Sequence, residues 1–118
     1  MYGLKKGVDL SFLNGREVVQ VAIGMYQVIF AFDEDVAISV EGAFTYSDGA
    51  RETVWKPTSP DAAASVVALL GTKVEQAKGE ENGTLTLTFS NGGCLTIPDS
   101  SREYESYQIN RPGETIVV

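Results

Sequence analysis

The chain contains no histidine, which removes the side chain that most often serves as a general base and as a transition-metal ligand. Catalysis would have to rest on carboxylates, a thiol, a lysine or a tyrosine. The single thiol, Cys94, stands just inside an apolar strand beside the glycine hairpin "SNGG", with no histidine to activate it and little positive charge nearby. Such a residue reads as a small packed side chain rather than a nucleophile. The acidic triplet Asp33-Glu34-Asp35 offers oxygens to a hard cation, but a calcium loop needs alternating ligands, a central glycine and a distal glutamate, and these are missing. Glu103 and Glu105 lie two apart, on one face of a strand, in the manner of a glycosidase carboxylate pair, yet nothing around them marks a cleft. "SNGG" leads into a strand and not a helix, so it cradles no phosphate. The expectation is a protein without metal or cofactor, and one that leans away from catalysis.

Aromatic chemistry is concentrated in "REYESYQI" near the end of the chain. Tyr104 and Tyr107 are three apart and face opposite sides of a regular strand, unless a bulge at Glu105–Ser106 turns both to one side. Two readings follow: a pocket wall or protein contact, or rings that close one end of the core with hydroxyls near the surface. The second is the simpler.

The elements that must position these groups are mostly strands. "EVVQVAI", "MYQVIFAF" and "VAISVEG" alternate with period two, so Tyr26, Val28, Phe30 and Phe32 share a face, as do Val36, Ile38 and Val40. "AFTYSDG" adds a short strand and a loop. "TLTLTF", "SNGG" and "CLTIP" form a hairpin that Pro98 ends. One helix interrupts, over about residues 60–70, with Ser59 as N-cap, Pro60 and Asp61 in the first turn, and Gly71 after its end. Ala63, Val66, Val67 and Leu70 fall on one α-helical face.

Residues 13–46 and 69–109 echo one another. Gly15 matches Gly71 and Val18 matches Val74 at a spacing of 56, while Phe32 matches Phe89 and Val40 matches Ile97 at 57. Each half reads as a three-stranded antiparallel unit with one apolar face to hide. The expected fold is therefore mainly β (α+β), a single domain over 1–118, with two similar units packed as a sandwich or partly open barrel and a helix bridging them.

Nine basic against sixteen acidic residues give a formal charge of −7, which argues against nucleic acid and anionic lipid and for a cationic partner. No run approaches the roughly 18 apolar residues of a membrane helix, the amino terminus lacks a signal-peptide core, and a lone cysteine suits a reducing compartment. A cytoplasmic location is expected.

"LNGREVVQVAIG", "LTLTFSNGGCLTI" and "YESYQINRPGETIVV" resemble a small family of uncharacterised bacterial domains of this size. Members share a Leu-x-Gly-x-x-Val opening, a Phe before the hairpin turn, a Tyr-Glu-x-aromatic-x-Ile segment, and a Pro-Gly before a closing apolar strand. Tyr107 stands where that family often has tryptophan. The resemblance implies no established activity, and by size and charge it invites analogy with immunity proteins that neutralise toxins. The functional expectation is a binding protein of immunity type that meets a basic toxin through Asp33, Glu34, Asp35, Glu80, Glu81, Glu103, Tyr104, Glu105 and Tyr107. The alternative is a small-molecule site or minor enzyme pocket between the sheets near Tyr104 and Tyr107. A homodimer formed through a sheet edge is a further expectation.

Overall fold

Alternation decides the strands. Val28, Phe30 and Phe32 are buried while Ile29 and Ala31 are half-exposed, and Leu85, Leu87 and Phe89 repeat the pattern against Thr86 and Thr88. In a pleated strand such residues point to opposite sides, so each strand has one face to cover. The computed structural model describes residues 9–56, 60–99 and 106–118, and it covers those faces by packing two five-stranded antiparallel sheets over one hydrophobic core. It is a sandwich, and it does not close into a barrel.

The strands are β1 (Val18–Ile23), β2 (Val28–Phe32), β3 (Ala37–Val40), β4 (Phe44–Ser47), β5 (Glu52–Trp55), β6 (Val74–Gly79), β7 (Leu85–Phe89), β8 (Cys94–Ile97), β9 (Tyr107–Arg111) and β10 (Glu114–Val117). The first sheet runs β1-β2-β3-β9-β10 and the second β5-β4-β8-β7-β6. Three-stranded units therefore fall short of the observed sheets by two strands each. The missing pair comes from the other part of the chain: β9–β10 completes the sheet begun by β1–β3, and β4–β5 completes the sheet of β6–β8. β4 matches the expected short strand, whereas β5, with Glu52 and Thr53 at its start, lacks an apolar alternation and is legible only from its partner β4.

The two sheets are built on matching bonds. Val18 pairs with Phe32 and Val74 with Phe89, and each ladder skips one residue at the same place, before Gln20 and before Gln76. The sheets meet at an antiparallel bridge between Glu17 and Lys73. Around it the Val18 amide donates to Thr72 O (2.8 Å) and the Val74 amide to Arg16 O (2.9 Å), while the Gly15 amide donates to Val74 O (2.7 Å) and the Gly71 amide to Val18 O (2.9 Å). Each bond has its mirror across the junction.

The expected helix is present over Pro60–Leu69, but it is a 3-10 helix, and this changes its face. At three residues per turn, positions i, i+3 and i+6 stack, so Ala63, Val66 and Leu69 are fully buried while Val67 and Leu70 are 48% and 46% exposed. The α-helical face of Ala63, Val66, Val67 and Leu70 is corrected accordingly. Ser59 lies outside the described residues. The helix touches β5 of one sheet and β1 of the other, the bridging position expected of it. Tyr26 is also corrected: β2 begins at Val28, and Tyr26 sits in the β1–β2 turn, 72% exposed.

Candidate functional site

Asp33, Glu34 and Asp35 form the β2–β3 turn, closed by the Phe32 amide on Val36 O (2.7 Å). Glu34 and Asp35 adopt left-handed backbone angles, φ 60° and 58°. That region crowds Cβ against the carbonyl and costs about 1–2 kcal/mol per L-residue. The matching turn between β7 and β8 places Gly92 at φ 85°, where no Cβ exists to clash. We expect Asp35→Gly to raise stability by roughly 0.5–1 kcal/mol, the relief of strain less the greater freedom of an unfolded glycine, measured by urea denaturation.

Asp33 is tied down. Its amide donates to Glu17 O (3.1 Å), its Oδ1 accepts from the Glu17 amide (3.4 Å), and Arg16 approaches it at 3.9 Å. Glu34 and Asp35 project into solvent. Glu80 and Glu81 occupy the β6–β7 turn, also exposed, where the Glu80 amide donates to Thr84 O (2.9 Å) and the Gly83 amide to Glu80 O (2.9 Å).

These two acidic turns are not one site. Asp33 bonds to Glu17, which bridges Lys73 at the start of β6, whereas Glu80 follows the far end of β6. At about 3.3 Å per residue the strand separates them by roughly 20 Å. Glu103, Tyr104 and Glu105 lie outside the described residues, and with Glu105 so does one half of the expected Glu105–Ser106 bulge.

Tyr107 belongs to the core. Its side chain is fully buried, its main chain pairs with Val40, and its hydroxyl donates to Gly83 O at 2.7 Å. The ring closes the core as the simpler reading expects, but the hydroxyl is buried instead of near the surface, and Tyr107 has no surface to offer a partner. Burial raises the phenol well above its ordinary range, since an unsolvated phenolate is unfavourable. A group whose folded value is raised contributes stability below its unfolded value and loses it above. We therefore expect the fold to weaken above pH ~10, where the unfolded phenol ionises. Tyr107→Phe removes that alkaline loss while lowering neutral stability by about 1–2 kcal/mol through the unpaired Gly83 carbonyl. Denaturation at neutral and alkaline pH reads both effects.

Cys94 is half-buried, opposite Ser47 and Thr88 in its sheet. Among the described residues no group of three or more acidic or thiol side chains converges in a way that would hold a metal. Among the described residues no helix is long and apolar enough to cross a membrane.

A family model described as a family of unknown function, DUF6188, matches residues 10–118. The chain belongs to DUF6188. No curated protein and no solved structure matches it. The DUF6188 match opens at Leu10, a buried core residue, and runs to Val118, which exchanges main-chain bonds with Tyr107, so it takes in both sheets. The family description carries no activity.

One surface of this DUF6188 chain escaped the sequence reading. Of the large apolar side chains exposed among the described residues, all except Val54 lie on β1, its turn, or the end of the 3-10 helix: Val19, Ile23, Met25, Tyr26, Val67 and Leu70. The Gly71–Val18 bond sets the helix end beside β1. The available signal was charge: no ionisable acid or base occurs from Val18 to Phe32 apart from Tyr26, or from Ala62 to Thr72.

Proposed function

We propose that the protein is a non-catalytic binding module that engages a basic protein through its acidic surface, in the manner of an immunity protein against a cationic toxin. The observation that carries this reading is the state of the carboxylates. Glu34, Asp35, Glu41, Glu75, Glu80 and Glu81 are all exposed, and none of them forms an ion pair among the described residues, where Asp33 pairs with Arg16 and Glu114 with Arg111. With a formal charge of −7, most of the negative field is left unneutralised at the surface, where it raises the encounter rate with a cationic partner. The field acts from separated points on a rigid sandwich, which suits a broad contact rather than a pocket. The alternative pocket between the sheets would use Tyr107 as a wall, and that side chain is already packed and hydrogen-bonded.

The test is affinity capture from lysate of the native host at low and at high salt, repeated with Glu34, Asp35, Glu80 and Glu81 reversed to lysine. A partner of basic composition is expected at low salt, with an association rate at least tenfold slower for the reversed protein. Capture that is indifferent to both salt and charge reversal, or no protein captured at low salt, overturns the reading.

A further inference from the structure

β1 and β6 hold matching places as outer strands, yet among the described residues only one of them is guarded. The Gly24 amide closes the β1–β2 tip on Gln27 O (2.8 Å), and the Glu80 amide closes the β6–β7 tip on Thr84 O (2.9 Å). Counting back from these closures, hydrogen-bonded and non-bonded pairs alternate along an antiparallel ladder. The main-chain groups of Gln20 and Ala22 therefore turn toward β2, and those of Val21 and Ile23 turn away from the sheet. By the same count Ala77 and Gly79 turn outward on β6. At Ala77 that outward amide is capped, donating to Asn14 Oδ1 at 3.2 Å.

Outer strands bind other strands unless something prevents it, and proteins prevent it with charges, side-chain caps or short lengths. β6 has the cap, carries Glu75 and Lys78, and ends in the acidic turn. β5 and β10 are four residues each and begin with Glu52 and Glu114. β1 has six residues, Val-Val-Gln-Val-Ala-Ile, with no charge. The position that matches Asn14 across the junction is Leu70, an exposed apolar side chain unable to accept a hydrogen bond. Met25 and Tyr26, 70% and 72% exposed, extend the apolar strip past the end of the strand.

We propose that this strip is a homodimer interface in which β1 of one copy pairs antiparallel with β1 of a second. The occupant follows from the sequence of the edge. About an axis at Ala22, Val21 of each copy faces Ile23 of the other, so both outward residues find main-chain partners and β-branched side chains meet across the join. An isologous contact sets each residue beside its own copy's neighbours, and on a chain of charge −7 the strip lets two copies meet without opposing like charges. The dimer leaves the acidic turns of the proposed partner surface outside the join.

Sedimentation of the full chain from micromolar to submillimolar concentration tests this, together with amide hydrogen exchange at both ends of that range. The expected result is a reversible dimer, retained in high salt, with the Val21 and Ile23 amides slowed at high concentration and the Glu75 and Gly79 amides unchanged. Ile23→Lys should weaken dimerisation at least tenfold while circular dichroism stays that of the wild type. If that variant misfolds, Met25→Lys together with Tyr26→Lys at the exposed tip takes its place, and exchange on the wild type decides independently. A monomer at every concentration, a dimer indifferent to these substitutions, or protection that falls on another edge overturns the proposal. Because Ile23→Lys leaves the carboxylates untouched, loss of the dimer with retained capture of a basic partner separates this inference from the proposed function.

Discussion

Gly83→Ala is expected to destabilise the fold by about 3 kcal/mol, from two separable causes. Gly83 has φ +95°, a backbone region that L side chains rarely adopt, and a Cβ built there would stand 2.5 Å from Asp99 Cβ and 2.8 Å from Asp99 Oδ2. Strain alone accounts for about 1 kcal/mol and forced repacking for roughly 1–3 more. Gly49 separates the two: its φ is +96° and nothing lies within 4 Å of its would-be Cβ. Gly49→Ala should therefore show the strain without the collision. On a domain whose whole stability is about 5–15 kcal/mol, the Gly83 variant should melt some 10–15 °C below the wild type, at roughly 4 °C per kcal/mol, and the Gly49 variant some 4 °C below. Equal shifts in the two variants would rule out the close approach of Asp99. The Gly83 substitution also disturbs the carbonyl that receives the Tyr107 hydroxyl, so it loosens the acidic turn from the core.

Trp55→Ala should cost about 3–5 kcal/mol, the range for deleting a large buried ring. Trp55 is fully buried and stacks on Phe44 at 5.3 Å with 16° between planes, and Phe44 meets Phe30 edge-on at 5.6 Å and 75°. Phe30 belongs to β2 and the other two rings to β4 and β5, so this column joins the two sheets. Trp55→Phe should cost far less, about 1 kcal/mol. The buried Nε1 has no hydrogen-bond partner among the described residues, and removing an unsatisfied buried donor recovers part of what the lost ring area gives up. Because this is the only tryptophan, its emission follows unfolding of the wild type, and circular dichroism follows the variants. A phenylalanine variant as weak as the alanine one would mean that the indole N–H is satisfied.

Much of this architecture was legible because its cause is local. Phe30 and Ile38, or Leu87 and Leu95, announce their strands through alternation, and the spacing of Gly15 and Gly71 points to two units of one plan. The 3-10 helix was half legible. "AASVVALL" satisfies both a period of three and a period of 3.6, and only packing selects Leu69 over Leu70 for the core. The exchange of β4–β5 and β9–β10 between sheets was not legible, since no residue in "ETVW" names the strand that will lie beyond its hairpin partner. The acidic turns lie at opposite ends of β6, and their separation depends on the Glu17–Lys73 bridge, which sequence spacing does not encode. The bare edge of β1 emerges only by comparison with β6, where Asn14 shows what a cap at that place looks like.

The crossing of hairpins has a consequence for synthesis. Val40 finds its partner in Tyr107, so the sheet that starts first is completed only after every strand of the second sheet has been made. Until then β3 waits with an open flank of unmatched backbone. High sequence separation between contacting strands also slows the search for the native pairing. Completion of the first layer is thus deferred until the β9–β10 hairpin arrives, whereas every strand of the second layer precedes it.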